Sequence, residues 1–173
     1  MTFAAAVDSQ FGRVAVIWQL CRDRPVVVRI ALPGSPLTPE RRSCPEVDEL
    51  CGSIRRMLEG CAVQPGTGLL DLESCSGFKR RVLEAESRVP RGGVTSYCGL
   101  AAAIGSAGAA RAVGQALATN PFPLVIPCHR IVAADSLGGF SSGGDRGREL
   151  KRRLLEHEDA IESTGEQTTL DSA

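Results

Sequence analysis

The sequence predicts a mixed α/β (α+β) fold with two small domains. The N-terminal domain is expected to hold an antiparallel sheet plus one helix, and the C-terminal domain to be mostly helical with a helix-turn-helix. Three observations predict this fold: three β-branched or apolar runs near the N-terminus, a helical pattern of apolar residues after them, and two short helical patterns flanking a glycine-rich turn. We place the domains at residues 1–75 and 76–160, followed by a tail at 161–173.

The N-terminal domain is predicted from its β-branched runs and one amphipathic pattern. Short polar turns separate the expected strands, which lie at Phe3–Val7, Arg13–Leu20 and Val26–Leu32. Ser43 and Glu46 have the spacing of a capping box, which predicts that a helix begins there and runs to Leu58. Cys44 and Cys51 belong to this segment and are interpreted as packing residues, because free cysteine behaves as a small hydrophobe.

Two helices are predicted near the ends of the C-terminal domain. The first is expected to stop near Pro90 and is marked by Phe78, Val82 and Ala85. The second carries apolar residues at helical spacing, at Leu150, Leu154 and Leu155. His157 continues that spacing, so we predict that it packs against the protein or lies at the edge of the core.

A helix-turn-helix is predicted between these two helices. Ser96 is a good N-cap for a helix over Tyr97–Ile104, the turn Gly105–Gly108 follows, and a second helix is expected over Ala109–Ala118. Helix, tight turn and helix are typical of DNA-binding domains. The pattern alone also fits a pair of packed helices that binds nothing.

The charges cancel over the whole chain but not along it. Lys and Arg total 20, as do Asp and Glu, so the net charge by itself indicates no nucleic-acid partner. Residues 76–155 carry twelve basic and five acidic side chains, whereas residues 156–173 carry six acidic and no basic ones. This segregation predicts a basic working face and an acidic, disordered tail at 161–173.

Seven cysteines without a CxxC pair favour free thiols over a disulfide framework. The only histidines are His129 and His157, distant in sequence from the N-terminal cysteines, so a zinc site is not expected. Free thiols indicate a reducing compartment, and no apolar run is long enough to span a bilayer. We therefore expect a soluble protein of the cytoplasm, or of the nucleus in a eukaryotic cell.

Cys128 follows an apolar run and precedes His129. The thiol could be structural or nucleophilic, since a free thiol has a pKa of about 8.5 and needs a base to react at neutral pH. Neighbouring side chains in an extended segment point to opposite faces, so His129 would need a bridging water or a local turn to take the proton. This arrangement also predicts an acid that orients His129.

Five segments resemble, in order and spacing, the O6-alkylguanine-DNA alkyltransferases, also called methylated-DNA–protein-cysteine methyltransferases. The signature is Pro127-Cys-His-Arg-Ile-Val132. The other segments are Val89-Pro-Arg-Gly-Gly-Val-Thr-Ser-Tyr97, Ala109-Ala-Arg-Ala-Val-Gly114, Asn120-Pro121 and Leu154-Leu-Glu-His-Glu158. The resemblance covers roughly residues 76–158, and the predicted N-terminal sheet and helix fit the family's less distinctive first domain.

The resemblance implies direct, irreversible transfer of an alkyl group from O6-alkylguanine in duplex DNA to Cys128, without a cofactor. O4-alkylthymine is an implied second substrate, and each molecule acts once because water does not cleave a thioether. In this scheme His129 activates Cys128 through a water and Glu158 orients the imidazole. Asn120 is implied to brace the turn beneath Cys128. The implied partner is double-stranded DNA, bound by a monomer.

The resemblance also assigns residues to DNA and substrate, with the target base flipped out of the duplex. Arg111 would fill the vacated place in the stack and Tyr97 would contact the flipped nucleotide, while small residues such as Ala112 and Gly114 let the helix enter the minor groove. The remaining expected contacts are Ile131, Phe140, Ser141 and Ser142. Candidate phosphate contacts are Arg91, Arg130 and the basic cluster Arg146–Arg153.

Two other functions stay open from the residues. One is a module of the same fold that binds alkylated DNA without transferring the alkyl group, and the loop Gly138–Gly144, which departs from the family pattern, makes it worth testing. The other is a Cys-His hydrolase, which would turn over a thioester or an amide.

Overall fold

The computed structural model describes residues 1–35, 40–140 and 144–161. Its N-terminal part is a sheet of four strands in the order β3-β2-β1-β4. The strands are β1 at Thr2–Ser9, β2 at Gly12–Cys21, β3 at Arg24–Ala31 and β4 at Glu40–Arg41. Strands β1, β2 and β3 pair antiparallel, as predicted from their β-branched runs.

Two short turns set the register of these strands. Between β2 and β3, Arg22 and Asp23 both have positive φ, at 50° and 63°, the combination that suits the twist of a two-residue hairpin. Between β1 and β2, Gly12 has φ of 109°, and a Cβ there would lie 2.9 Å from Cβ of Pro33. That position therefore requires glycine.

Strand β4 was not predicted, and it makes the sheet mixed rather than purely antiparallel. Its two residues pair parallel with β1, Glu40 opposite Phe3 and Arg41 opposite Ala4. A strand of two residues has no alternation to detect, which is why the sequence pattern missed it.

Helix α1 covers Pro45–Leu58 and packs on the sheet. It buries the apolar stripe predicted for it, including Cys51, and Cys44 packs against the same core. The predicted capping box is wrong: the N-cap is Cys44, whose side chain makes no cap hydrogen bond, and the Ser43 hydroxyl donates to Asp48 instead. The reason is Pro45, which occupies the first helical position and starts the helix one residue later than a Ser43 cap would.

Among the residues that the structure describes, the C-terminal part contains four further α-helices and one small parallel ladder. Helix α2 covers Gly77–Glu86, α3 covers Tyr97–Ala103, α4 covers Ala110–Ala118 and α5 covers Gly144–His157. Strand β5 at Thr95–Ser96 pairs parallel with β6 at Ile131–Val132. As predicted, Ser96 caps α3, because its hydroxyl accepts a 3.0 Å hydrogen bond from the Gly99 amide. Helices α3 and α4, with the turn between them, form the expected helix-turn-helix.

Two hydrophobic clusters hold the molecule together. The larger joins the sheet and α1 to apolar residues of the C-terminal part, namely Leu83, Phe122, Leu124, Val125, Ile126, Leu150 and Leu154. The smaller lies among α2, α3, α4 and β6. The boundary at residues 75 and 76 stays a prediction, and the larger cluster draws side chains from both sides of it.

Within the described ranges, no helix is both long and apolar enough to cross a membrane. The predicted acidic tail lies almost wholly at residues 162–173, outside the described residues.

Candidate active site

Cys128 begins a single turn of 3₁₀ helix, Cys128–Arg130, that follows the buried run Phe122–Ile126. The Arg130 amide donates to the Pro127 carbonyl at 2.8 Å and closes this turn. The expectation of an extended segment is therefore wrong. In a 3₁₀ turn successive side chains are about 120° apart, so Cys128 and His129 do not point to opposite faces. This is the kind of local turn that the sequence led us to expect, as an alternative to a bridging water, for transfer of the Cys128 proton to His129.

Asn120 holds the segment that leads to Cys128. Its side-chain amide donates to the Ile126 carbonyl at 3.1 Å, and its side-chain oxygen accepts from the Phe122 amide at 2.8 Å. Between them, Leu124 is buried with φ of 75°, a conformation that costs an apolar L-residue on the order of 1–3 kcal/mol. These two hydrogen bonds help to hold that strained backbone next to the turn Cys128–Arg130.

His129, Arg130 and Glu158 form one buried network. His129 Nε2 lies 3.1 Å from Glu158 Oε1, and Arg130 donates to both carboxylate oxygens at 2.8 Å. Burial raises the pKa of Glu158, but the hydrogen bonds from Arg130 and His129 outweigh it and lower that pKa to about 2. The acid that orients His129 is thus ionised at neutral pH.

The network determines which nitrogen of His129 can act as a base. An ionised carboxylate only accepts, so Nε2 carries the hydrogen and Nδ1 is left as an acceptor. Nδ1 is buried and has no hydrogen-bond partner among the described residues. Burial lowers the pKa of His129, and the hydrogen bond to Glu158 only partly opposes this. The imidazole is therefore neutral at neutral pH and able to take a proton.

Arg130 and Arg91, which were expected to contact DNA phosphates, lie in or beside this buried network. Arg130 is fully buried and also donates to Gln64 Oε1 and to the Val89 carbonyl, so it cannot reach DNA and the expectation for it is wrong. Arg91 donates to the His157 carbonyl at 2.8 Å and lies 3.8 Å from Glu158. Sequence reasoning missed this role of Arg130 because its partner Glu158 is far away in the chain.

A cavity of about 120 Å³ opens at Cys128. Its lining brings together four predicted site residues, Tyr97, Gly114, Cys128 and Phe140, which come from α3, α4, the turn Cys128–Arg130 and the loop before α5. The other lining residues are Leu117, Ala118 and Gly139. Gly138 has φ of 69°, and a Cβ there would lie 2.9 Å from the Tyr97 hydroxyl oxygen. The loop is therefore so close to Tyr97 at this point that position 138 requires glycine.

Tyr97 is anchored in this cavity. Burial raises the pKa of the phenol, and the nearby Gly139 backbone opposes this only in part. The hydroxyl therefore keeps its proton at neutral pH, and the O–H can be donated to a bound base. Gly114 lies against the Tyr97 ring, since a Cβ built there would meet ring carbons at 3.8 Å.

The exposed face of α4 carries Arg111 and Ala112, while Val113, Ala116 and Leu117 face the core. Arg111 makes no hydrogen bond or ion pair within the described parts of the chain, so its side chain can move without breaking a contact. This placement fits the expected insertion into DNA.

Ile131 is completely buried in the smaller cluster and is not among the residues that line the cavity at Cys128. Its expected contact with DNA or substrate stays a prediction. Its carbonyl accepts a 2.5 Å hydrogen bond from Lys151 Nζ. Ser141 and Ser142 lie outside the described residues.

The basic cluster Arg146–Arg153 divides between surface and interior. Arg146 is exposed, Arg148 and Arg152 pair with neighbouring carboxylates on α5, and Arg153 donates to the Gln10 carbonyl. Lys151 is fully buried, so a phosphate contact is excluded for it. His157 packs edge-on against Phe11, with ring centroids 5.2 Å apart, as predicted.

Among the residues that the structure describes, no group of three or more His, Cys, Asp or Glu side chains could hold a metal ion. The described cysteines, seven in all, are free thiols.

Comparison with known proteins agrees with this geometry. Residues 77–160 match the family model described as 6-O-methylguanine DNA methyltransferase, DNA binding domain. The methylated-DNA–protein-cysteine methyltransferase of Methanothermobacter thermautotrophicus is 40% identical over 146 residues, 84% of this chain and 78% of that protein. The protein of the same name from Methanopyrus kandleri is 36% identical over 79% of this chain and 98% of its own length.

Solved structures extend the similarity to the whole fold. The crystal structure of the Mycobacterium tuberculosis O6-methylguanine methyltransferase superposes with a TM-score of 0.74 at 26% identity, covering 98% of each chain. A structure of Mycobacterium tuberculosis OGT in complex with DNA superposes with a TM-score of 0.70 at 27% identity, covering 91% of this chain and 93% of that one. From its identity to the archaeal relatives over most of its length, this chain belongs to the methylated-DNA–protein-cysteine methyltransferase family.

Proposed function

We propose that this protein repairs DNA by moving the alkyl group of O6-alkylguanine in duplex DNA onto Sγ of Cys128, once per molecule and without a cofactor. One observation carries the proposal. Cys128 lines a small cavity beside the helix-turn-helix, and the next residue, His129, is held by an ionised acid with one nitrogen left to accept a proton.

The first step is activation of the thiol. His129 Nδ1 takes the Cys128 proton through a bridging water, while Glu158 holds the imidazole in the required tautomer and stabilises the cation that forms. Arg130 keeps Glu158 ionised and fixed, so the acid does not compete for the proton. Asn120 supports the backbone that leads into the turn Cys128–Arg130.

The second step is transfer. The Cys128 thiolate attacks the alkyl carbon, the carbon–O6 bond breaks, and its electron pair goes to the guanine. The negative charge on the base is met by the Tyr97 hydroxyl, and the proton lost by the thiol ends on the guanine. Cys128 becomes a thioether, which water does not cleave, so a second transfer does not occur.

Access to Cys128 requires the target nucleotide to leave the stack. The thiol is buried in the protein, and a stacked base cannot reach it, so the base is flipped out at a cost of a few kcal/mol. Arg111 on the exposed face of α4 fills the gap in the duplex. Small residues at Ala112 and Gly114 allow the helix backbone to approach the DNA closely.

The finer assignments belong to the same proposal. O4-alkylthymine is a second substrate, the protein acts as a monomer on double-stranded DNA, and Phe140 with the loop residues Ser141 and Ser142 forms the outer wall of the pocket. Work in the reducing cytoplasm, or in the nucleus of a eukaryotic cell, is supported by the free thiols of the described chain.

The test is an intact mass after mixing with a duplex that carries one O6-methylguanine. The expected result is a gain of one CH₂ per protein, mapped to the Cys128 peptide. Cys128→Ser should gain nothing, and Cys98→Ser, which changes an exposed cysteine on α3, should behave as the unmodified protein. Tight binding to the lesion without any mass gain would instead identify a lesion-binding module of the same fold.

A further inference from the structure

Glu86, the last residue of α2, is a buried acid that the mechanism above does not use. Its side chain is 0% exposed, and neither carboxylate oxygen has a hydrogen-bond partner among the described residues. An ionised carboxylate without partners is strongly disfavoured in a protein interior. Burial accordingly raises the pKa of Glu86 well above its ordinary value. A group this unfavourable for folding calls for a functional explanation.

Glu86 interacts electrostatically with Lys151, which is equally buried in α5. Lys151 Nζ donates to the carbonyls of Ile131 at 2.5 Å and Gly139 at 3.0 Å. These carbonyls satisfy two of its three hydrogens but carry no net charge. Burial lowers the pKa of Lys151 to about 8, and an anion nearby favours its charged form. Lys151 interacts electrostatically with two candidates, Cys128 and Glu86.

The other charged or titratable groups around this point are already accounted for. Glu158 is paired with Arg130, His129 is neutral, and the raised pKa of Tyr97 keeps that phenol protonated. Within the described residues, Lys151 therefore interacts with two possible anions, the Cys128 thiolate and the Glu86 carboxylate. Two ionised anions would leave one uncompensated, which the interior disfavours.

We propose that Glu86 is a positioning residue that shares one proton with Cys128, both facing Lys151. In the reactive form the proton is on Glu86, Cys128 is a thiolate and Lys151 is its counter-ion. In the unreactive form the proton is on Cys128 and the Glu86 carboxylate pairs with Lys151. Protonation of the two groups is coupled, so each one's titration depends on the other.

The proton balance of the reaction is then complete. Before transfer, Cys128 and Glu86 hold one proton between them. During transfer the sulfur–carbon bond forms, the carbon–O6 bond breaks, and the guanine anion takes up that proton. Afterwards Cys128 is a neutral thioether and Glu86 is ionised beside Lys151, so the net charge is unchanged. The Glu86 carboxylate thereby replaces the Cys128 thiolate as the anion that pairs with Lys151.

The inference rests on the proposed function only in taking Cys128 as the acceptor, and it can be tested without DNA. The probe is iodoacetamide, which converts a thiolate to a neutral thioether and releases iodide. The rate constant for labelling Cys128, followed by its peptide, is measured from acid to alkaline pH in four proteins: unmodified, Glu86→Gln, Glu86→Leu and Glu84→Gln. Glu84 is an exposed glutamate on the same helix and serves as the matched control.

In both Glu86 variants the thiolate becomes the only anion available to Lys151, so the midpoint of the profile should move to lower pH. A shift of about one unit corresponds to a tenfold faster reaction below the midpoint. Glu84→Gln should follow the unmodified protein. Profiles of both Glu86 variants that superimpose on the unmodified one would overturn the proposal. The amide of Glu86→Gln could prevent folding because it would be buried without partners. Glu86→Leu avoids this difficulty, since it places an apolar side chain in a buried site.

A second measurement detects the protonation of Glu86 in the unmodified protein. Infrared difference spectra before and after labelling with iodoacetamide should show loss of the carbonyl band of one protonated carboxylic acid. The band should be missing from Glu86→Leu throughout. An unchanged carboxyl spectrum would contradict the inference, even if Cys128 accepts methyl groups from DNA. If Cys128 does not accept methyl groups, the proposed function fails, but the labelling profile and the infrared spectrum still test the link between Glu86 and Cys128.

Discussion

Two buried clusters of charge flank Cys128, and they are built differently. In the first, Arg130, Glu158 and His129 are hydrogen-bonded to one another, and the single acid is ionised. In the second, Lys151 bonds only neutral carbonyls and the Glu86 oxygens have no partner within the described chain. The two clusters therefore have different tasks. The first fixes the orientation of His129, and the second allows the negative charge beside Lys151 to move between Cys128 and Glu86.

Breaking the first cluster should have the largest effect. Arg130→Met leaves Glu158 buried without its bidentate partner, and loss of one member of such a pair costs about 3–5 kcal/mol. The free energy of unfolding, measured in urea, should fall by that amount. Arg152→Met is the control, since Arg152 forms only partly exposed pairs on α5 and its loss should cost less than about 1 kcal/mol. Equal losses in the two variants would show that the buried network contributes no special stability.

Lowering the pH should release the same cluster without a mutation. The pKa of Glu158 is lowered to about 2 from an ordinary 4.5, so its contribution is complete above 4.5 and is lost as the pH falls toward 2. The lowering corresponds to about 3 kcal/mol of stability. Unfolding free energies of the unmodified protein and Glu158→Gln should therefore converge with acid between pH 5 and about 2. A constant difference across that range would argue against an ionised Glu158 in the native state.

Removing the cation of the second cluster should cost less stability. Lys151→Met loses two hydrogen bonds to carbonyls but also removes a buried charge, so we expect a change of about 1 kcal/mol, well below that of Arg130→Met. The labelling profile of Cys128 should move to higher pH, opposite to the shift in Glu86→Leu. A loss of stability as large as that of Arg130→Met would mean that Lys151 is held as rigidly as the first cluster.

The exposed face of α4 should show the smallest effect on stability. Arg111→Ala removes a side chain with no described contact, so the unfolding free energy should change by less than about 0.5 kcal/mol. Repair of O6-methylguanine in a duplex should nevertheless slow by roughly tenfold or more, because base flipping costs a few kcal/mol. Reaction with free O6-benzylguanine, which needs no flipping, should stay unchanged. Equal slowing on both substrates would contradict the role of Arg111 in the duplex.

The sequence predicted elements wherever periodicity is sustained. The strands β1 to β3 and the helices α1 to α5 follow β-branched runs or apolar spacing that a single sequence displays. It did not predict β4, which is too short for a period, or the start of α1, where Pro45 moved the cap from Ser43 to Cys44. The 3₁₀ turn at Cys128 was also missed, because its form depends on the Asn120 hydrogen bonds and on the strained Leu124.

The candidate site could be predicted only in part, since its charges are paired across the fold. Cys128, His129 and Glu158 came from the family signature, but Arg130 was taken for a phosphate contact because its partner was not visible in the sequence. Lys151 and Glu86 did leave a signal. Lys151 lies at helical spacing from Leu154 and Leu155, and Glu86 follows Val82 by four residues, so both occupy the buried stripes of their helices. A charged residue at such a position is a candidate for function.

The central claim is that one molecule removes one alkyl group and keeps it on Cys128. The most direct test is a titration in which a fixed amount of protein meets an increasing excess of duplexes carrying O6-methylguanine. We predict that the number of repaired lesions rises and stops at one per protein molecule, however long the incubation. Repair that continues beyond one lesion per molecule would contradict irreversible transfer to Cys128.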